Sequence, residues 1–181
     1  MLLWTVQHRA AYEQMLQTGT LRANEAHLFC GDELKFAYDW LAAQMRERVG
    51  EPPEGVNYPV WAWYQYNGMR KRPDMRGPHR RYRARGTPIV LLTVDVPEKN
   101  VLLSDFDMWH CVLNNGYIDV DEADDESFCG GQVEIEQSWR HVLEIETAFE
   151  LYGGAEERSI QATMWEIRTE WVKKAEFFTS R

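Results

Sequence analysis

The chain predicts an α+β fold with a mainly antiparallel sheet and helices packed on it, and three observations carry that prediction. Aromatic and β-branched runs at residues 58–66 and 87–96 read as long strands. Helical periodicity is confined to a few segments early and in the middle of the chain. The strands fall between these helices without a regular βαβ rhythm, which argues against a doubly wound parallel sheet.

Taken in order, residues 2–6 read as a short strand, and residues 7–18 as a helix with Ala11, Met15 and Leu16 on one face and Gly19 as its cap. A second helix is expected over 33–49, where Phe36, Trp40, Leu41 and Met45 recur at helical spacing before a stretch rich in Pro and Gly. The strand at 87–96 opens on Pro88 and ends at Pro97, and 100–103 adds a short one. Ser104 is placed to cap a helix through 107–113 that stops at Asn114-Asn115-Gly116. Residues 132–145 look helical, Gly153-Gly154 breaks the chain, and the tail (160–167, then 171–178) reads as two strands.

With 181 residues, 44% of them hydrophobic, the chain is long enough for one domain burying roughly 70% of its unfolded surface. No compositional break divides residues 1–181, so a single domain is expected. The longest apolar runs, such as Ile89-Val90-Leu91-Leu92, fall far short of a membrane span, and the polar residues after Val6 do not suit a signal peptide. Three widely spaced cysteines (Cys30, Cys111 and Cys129) fit a reducing compartment. A soluble cytoplasmic protein is expected, with no structural metal, because the five scattered histidines supply no ligand pair. Six carboxylates within residues 119–126 lack calcium-loop spacing and read as a solvated loop or a counter-charge for the basic segment.

Charge provides the sharpest local signal. The chain carries −9 overall, yet residues 70–85 hold eight Arg or Lys against Asp74 alone, +7 in sixteen residues, so the remainder sums to −16. Directly upstream stand Tyr58, Trp61, Trp63, Tyr64 and Tyr66. Cations beside stackable rings suit a nucleotide or a single-stranded nucleic acid, with Arg70, Arg72, Arg76, Arg80, Arg81 and Arg83 as phosphate ligands. A solvated loop after an aromatic core strand has the same composition. Trp40, Trp109, Trp139, Trp165 and Trp171 lie in apolar-periodic stretches and are expected in the core, while His8 and His141 flank helices as capping or surface groups.

Two resemblances extend this reading. The opening Leu3-Trp4-Thr5-Val6, the helix ending at Thr18-Gly19-Thr20-Leu21, and the 58–66 strand with its Arg-rich sequel resemble ADP-ribosyltransferase-fold proteins of the DNA-modifying toxin type. Leu-Trp-Thr, Val96-Pro97, Val101-Leu102, Ser104-Asp105 and Trp109-His110 resemble, over nearly the full length, a bacterial domain family of unknown function. The transferase resemblance implies NAD as cofactor, Trp4 and Thr5 holding the nicotinamide ribose, and Trp63 and Tyr64 packing on nicotinamide. It places Gln161 where the family has a catalytic Glu, with Glu166 or Glu157 as substitutes in another register. A neutral amide hydrogen-bonds a ribose hydroxyl but does not offset developing positive charge. Three functions follow as expectations: an NAD-dependent ADP-ribosyltransferase acting on nucleic acid or protein, a non-catalytic nucleotide or nucleic-acid binding module, and a protein-interaction domain.

Overall fold

A computed structural model describes residues 1–25, 32–81, 84–120 and 130–181. Strand β1 (Leu2–His8) runs straight into helix α1 (Arg9–Thr18), because His8 ends the strand in extended conformation and its Nδ1 accepts from the Ala10 N–H. Gly19, at φ 84°, closes α1 by donating to the Met15 carbonyl, a left-handed conformation that disfavours a side chain. Short β2 (Thr20–Arg22) follows, then α2 (Lys35–Arg48) and β3 (Val60–Gln65).

Strand β4 (Pro88–Asp95) leads to β5 (Leu102–Asp105) and α3 (Phe106–Leu113). The cap of α3 is Asp105 rather than the expected Ser104: Asp105 Oδ1 accepts from the N–H groups of Asp107 and Met108 at 2.9 Å. Helix α4 (Gln132–Ser138) is shorter than predicted and tightens into a 3₁₀ segment over Trp139–Leu143. The tail forms three strands instead of two, β6 (Ile160–Met164), β7 (Glu166–Arg168) and β8 (Val172–Thr179).

Six strands form one sheet in the order β5-β6-β3-β1-β4-β8, every neighbour antiparallel, while β2 and β7 pair separately. The α+β class with a mainly antiparallel sheet is therefore as the sequence predicts. Because side chains alternate across a strand, the sheet has two differently furnished faces. One buries Leu3, Val60, Ala62, Val90, Leu92 and Ala162 against Met15 of α1 and Leu21 and Ile167 of the small sheet. On the other, α2, α3 and the 3₁₀ segment after α4 pack over the β5 side through Leu41, Met45, Met108, Trp109 and Trp139, while Met75 covers Trp4, Ile89 and Leu91. Trp109, Trp139 and Trp165 are buried as expected, whereas Trp40 and Trp171 are half-buried. The acidic run expected over 119–126 lies almost wholly outside the described residues.

Candidate functional site

The antiparallel registers place Ser104 opposite Gln161, Gln161 opposite Trp63, Trp63 opposite Trp4, and Trp4 opposite Thr93. Directly opposed residues share a face, so Ser104, Gln161, Trp63 and Trp4 form one cross-strand row. Three sequence-predicted residues thus meet although 157 positions separate Trp4 from Gln161. Thr5 points to the α1 side, where its Oγ1 donates to the Trp61 carbonyl and accepts from Gln7 Nε2, both at 2.7 Å. Tyr64 sits at the register shift of β3 and packs against the α1-side core.

Over the row, Trp63 meets the rings of Tyr66 at 5.0 Å, Phe106 at 5.1 Å and His79 at 5.7 Å, and Tyr66 meets His79 at 4.5 Å. Phe106 in turn packs edge-on against His110 at 4.6 Å. Trp63, Tyr66, His79 and Phe106 are all partly exposed, so they make a cluster of rings at the protein surface rather than a closed core. Two local devices build it. Asn67 and Gly68, both at positive φ, reverse the chain after β3 so that Tyr66 and Met69 pair and the basic segment folds back over the sheet. Gly68 also lies too close to the Glu156 carbonyl to accommodate a Cβ. The second is the Asp105 cap, which starts α3 at Phe106 and sets that ring beside Trp63.

Beneath and beside the rings lie polar groups that folding rarely leaves unpaired. Ser104 Oγ, Gln161 Oε1, His79 Nε2 and Trp61 Nε1 are buried without a hydrogen-bond partner among the described residues. Arg158 and Asp105, both essentially inaccessible, form an ion pair at 3.2 Å, and Arg158 Nη2 donates to the carbonyls of Ile145 and Thr147. Burial pushes the Asp105 carboxyl up, opposed by the N–H of Met108 and by Arg158. Burial also pushes the His79 imidazole down, favouring its neutral form.

Three cations of the basic segment, Arg70, Arg72 and Arg80, turn inward. Arg70 lies 3.7 Å from the Tyr64 ring centroid and 5.3 Å from that of Trp4, and donates to the carbonyls of Tyr64 and Leu2. Trp4 is consequently buried beneath Arg70 and Met75. Arg72 grips both carboxylate oxygens of Glu176, Arg80 donates to the Thr179 carbonyl, and Arg76 holds Asp74, whose pKa falls to about 2. Arg83 and the Arg81 side chain lie outside the described residues. Of the substitute carboxylates, Glu166 is clamped in the small sheet between Arg22 and Arg168, and Glu157 is exposed ahead of β6.

A separate cleft of about 370 Å³ opens between α2 and the chain entering β3, where Asp39 accepts from Lys35 at 2.5 Å and from Tyr58 at 2.8 Å. Its charges are matched internally, and none of the row residues lines it. Sequence reasoning named Tyr66 among the stackable rings but missed His79, Phe106 and the Asp105–Arg158 pair. The Asn67-Gly68 turn signal was the available clue that the basic segment doubles back onto Trp63.

Fold and site together define a class: an α+β protein with a six-stranded antiparallel sheet that bears a partly exposed aromatic cluster beside polar groups unpaired among the described residues. The chain belongs to the family described as domain of unknown function DUF3841, whose match spans residues 2–132 and ends before the strand carrying Gln161. No curated protein and no solved structure matches.

Proposed function

We propose that this chain is an ADP-ribosyltransferase-like protein that binds NAD, with the nicotinamide ring against Trp63 beside Tyr66, His79 and Phe106. One observation carries the reading: Gln161, whose Oε1 lacks a partner among the described residues, stands directly opposite Trp63 in the sheet. A flat ring bearing a carboxamide fits that pair, since the indole offers a stacking surface and the amide oxygen accepts an N–H. Bound NAD would supply a glycosidic bond whose cleavage leaves positive charge on the ribose; Gln161 orients a hydroxyl there without offsetting that charge. Gln161 thus serves binding, and the acceptor of any transfer would be a nucleic acid or protein.

Thermal unfolding with and without NAD tests it. Ligand at a hundredfold over its dissociation constant adds about 2.7 kcal/mol, a rise of roughly 5–10 °C for a domain of this size. Trp63→Ala and Gln161→Leu should each abolish the rise; no shift in the wild-type protein sinks the reading.

The exposure of Lys71, Arg76 and Arg85 favours a second reading, a non-catalytic module for single-stranded nucleic acid. Three phosphate contacts give a slope of log affinity against log salt of about −2. A flat response removes it.

A further inference from the structure

We propose that β8 is a self-association edge, through which two copies of this chain join their sheets antiparallel about Ala175 into one continuous sheet. This rests on the open edge of the sheet and not on the NAD reading. Among the described residues, β8 has β4 as its sole strand partner, so its outer backbone groups present a ready ladder. An exposed apolar strip lies along the same edge on the α1 side. Phe177 is 54% exposed, meets Tyr12 of α1 at 5.9 Å and lies under Arg9 at 5.2 Å, and Leu16, one helical turn beyond Tyr12, is 59% exposed.

Charge fixes the occupant and the register. Ala175 and Phe177 face the α1 side, while Lys174 and Glu176 face the other, opposite Thr93 and Leu91. A two-fold axis that keeps both α1 helices on one side of the joined sheet must set a residue opposite itself or opposite one an even number of positions away. Centred on Ala175, Lys174 faces Glu176 of the partner subunit and Glu176 faces the partner subunit's Lys174. Sliding one residue either way sets Lys174 or Glu176 against its own copy, a like-charge pair. Within each chain Lys174 already lies 3.2 Å from Glu176, whose oxygens Arg72 also holds, and edge lysines usually block strand addition; in this register the partner subunit's carboxylate joins that network instead of a second lysine. The small Ala175 meets its own copy at the axis, which lets the two α1 helices approach on one face of the joined sheet. The register shift beside Lys173 twists the strand's start and confines regular pairing to the residues around Ala175.

Light scattering coupled to size-exclusion chromatography, on the full chain at micromolar concentration, should give twice the chain mass. Lys174→Glu and Glu176→Lys should each give monomers with an unchanged far-UV spectrum. Mixing the two variants should restore a dimer, because the introduced Glu at 174 then faces the introduced Lys at 176 on one side of the axis and native Glu176 faces native Lys174 on the other. A monomeric wild-type protein, or a dimer indifferent to Lys174→Glu, overturns the proposal. A mixture that stays monomeric overturns the Ala175 register.

Discussion

On the α1 side of the sheet, Leu3, Val60, Val90 and Leu92 meet Met15 in an apolar layer, and Thr5, buried among them, has its hydroxyl fully hydrogen-bonded. On the other side the sheet presents Trp63, Gln161 and Ser104, with polar atoms unpaired among the described residues and half-exposed rings. The first face spends its side chains on packing. The second leaves polar groups unsatisfied at a position where a ligand can reach the neighbouring rings, and such exceptions concentrate at functional sites. Mutations on the two faces should therefore separate stability from binding.

The largest effect is expected from Arg158→Ala. It strands the buried Asp105 carboxylate and frees the carbonyls of Ile145 and Thr147, so denaturant unfolding should show a loss of about 3–5 kcal/mol. A loss under 1 kcal/mol would mean that the pair holds nothing together. Leu92→Ala, on the α1 side, should cost about 2–5 kcal/mol in the same assay while the surviving folded protein keeps its NAD response. A lost response there would erase the distinction between the faces.

Gln161→Leu should do the reverse, removing the NAD response while leaving stability unchanged or raised by about 1 kcal/mol, because an unpaired buried oxygen is replaced by methyl groups. Marked destabilisation would assign Gln161 to the architecture instead. The smallest effect concerns pH. The folded-state His79 pKa lies below its ordinary value, so between the two the unfolded chain binds more protons. The stabilisation from neutral His79 is complete above about pH 6.5 and falls away as pH drops through that value towards the folded pKa. Comparing melting temperatures of wild type and His79→Phe from pH 7.5 to 5 should show a shallower decline in the variant; parallel curves would exclude His79 as the source.

Much of this was legible in the sequence because it depends on near neighbours. Gly19 as a helix terminator, the 58–66 and 87–96 runs as strands and the helical stripe of Leu41 and Met45 follow from backbone sterics and periodicity. Composition also exposed the contrast between the basic segment and the acidic remainder. Other features were not legible. Ser104 and Asp105 are equally good caps on paper, and only the point where β5 ends decides that Asp105 turns into the helix. The tail carried both helical and strand periodicity, and pairing with β3, β2 and β4 settled it as three strands.

The sequence by itself determined the class of fold, most of its elements and the residues able to stack on a flat ligand, since propensity and period are local properties of the chain. Tertiary structure alone decided which of those residues meet. Strand register places Gln161, Trp63 and Trp4 in one row and sends Thr5 to the other face, because a shift of one residue reverses every side chain. It also turned Arg70, Arg72 and Arg80 inward onto rings, carboxylate and carbonyls. A charge count measures how many cations a segment holds, whereas their direction depends on which distant acceptors the fold brings within reach.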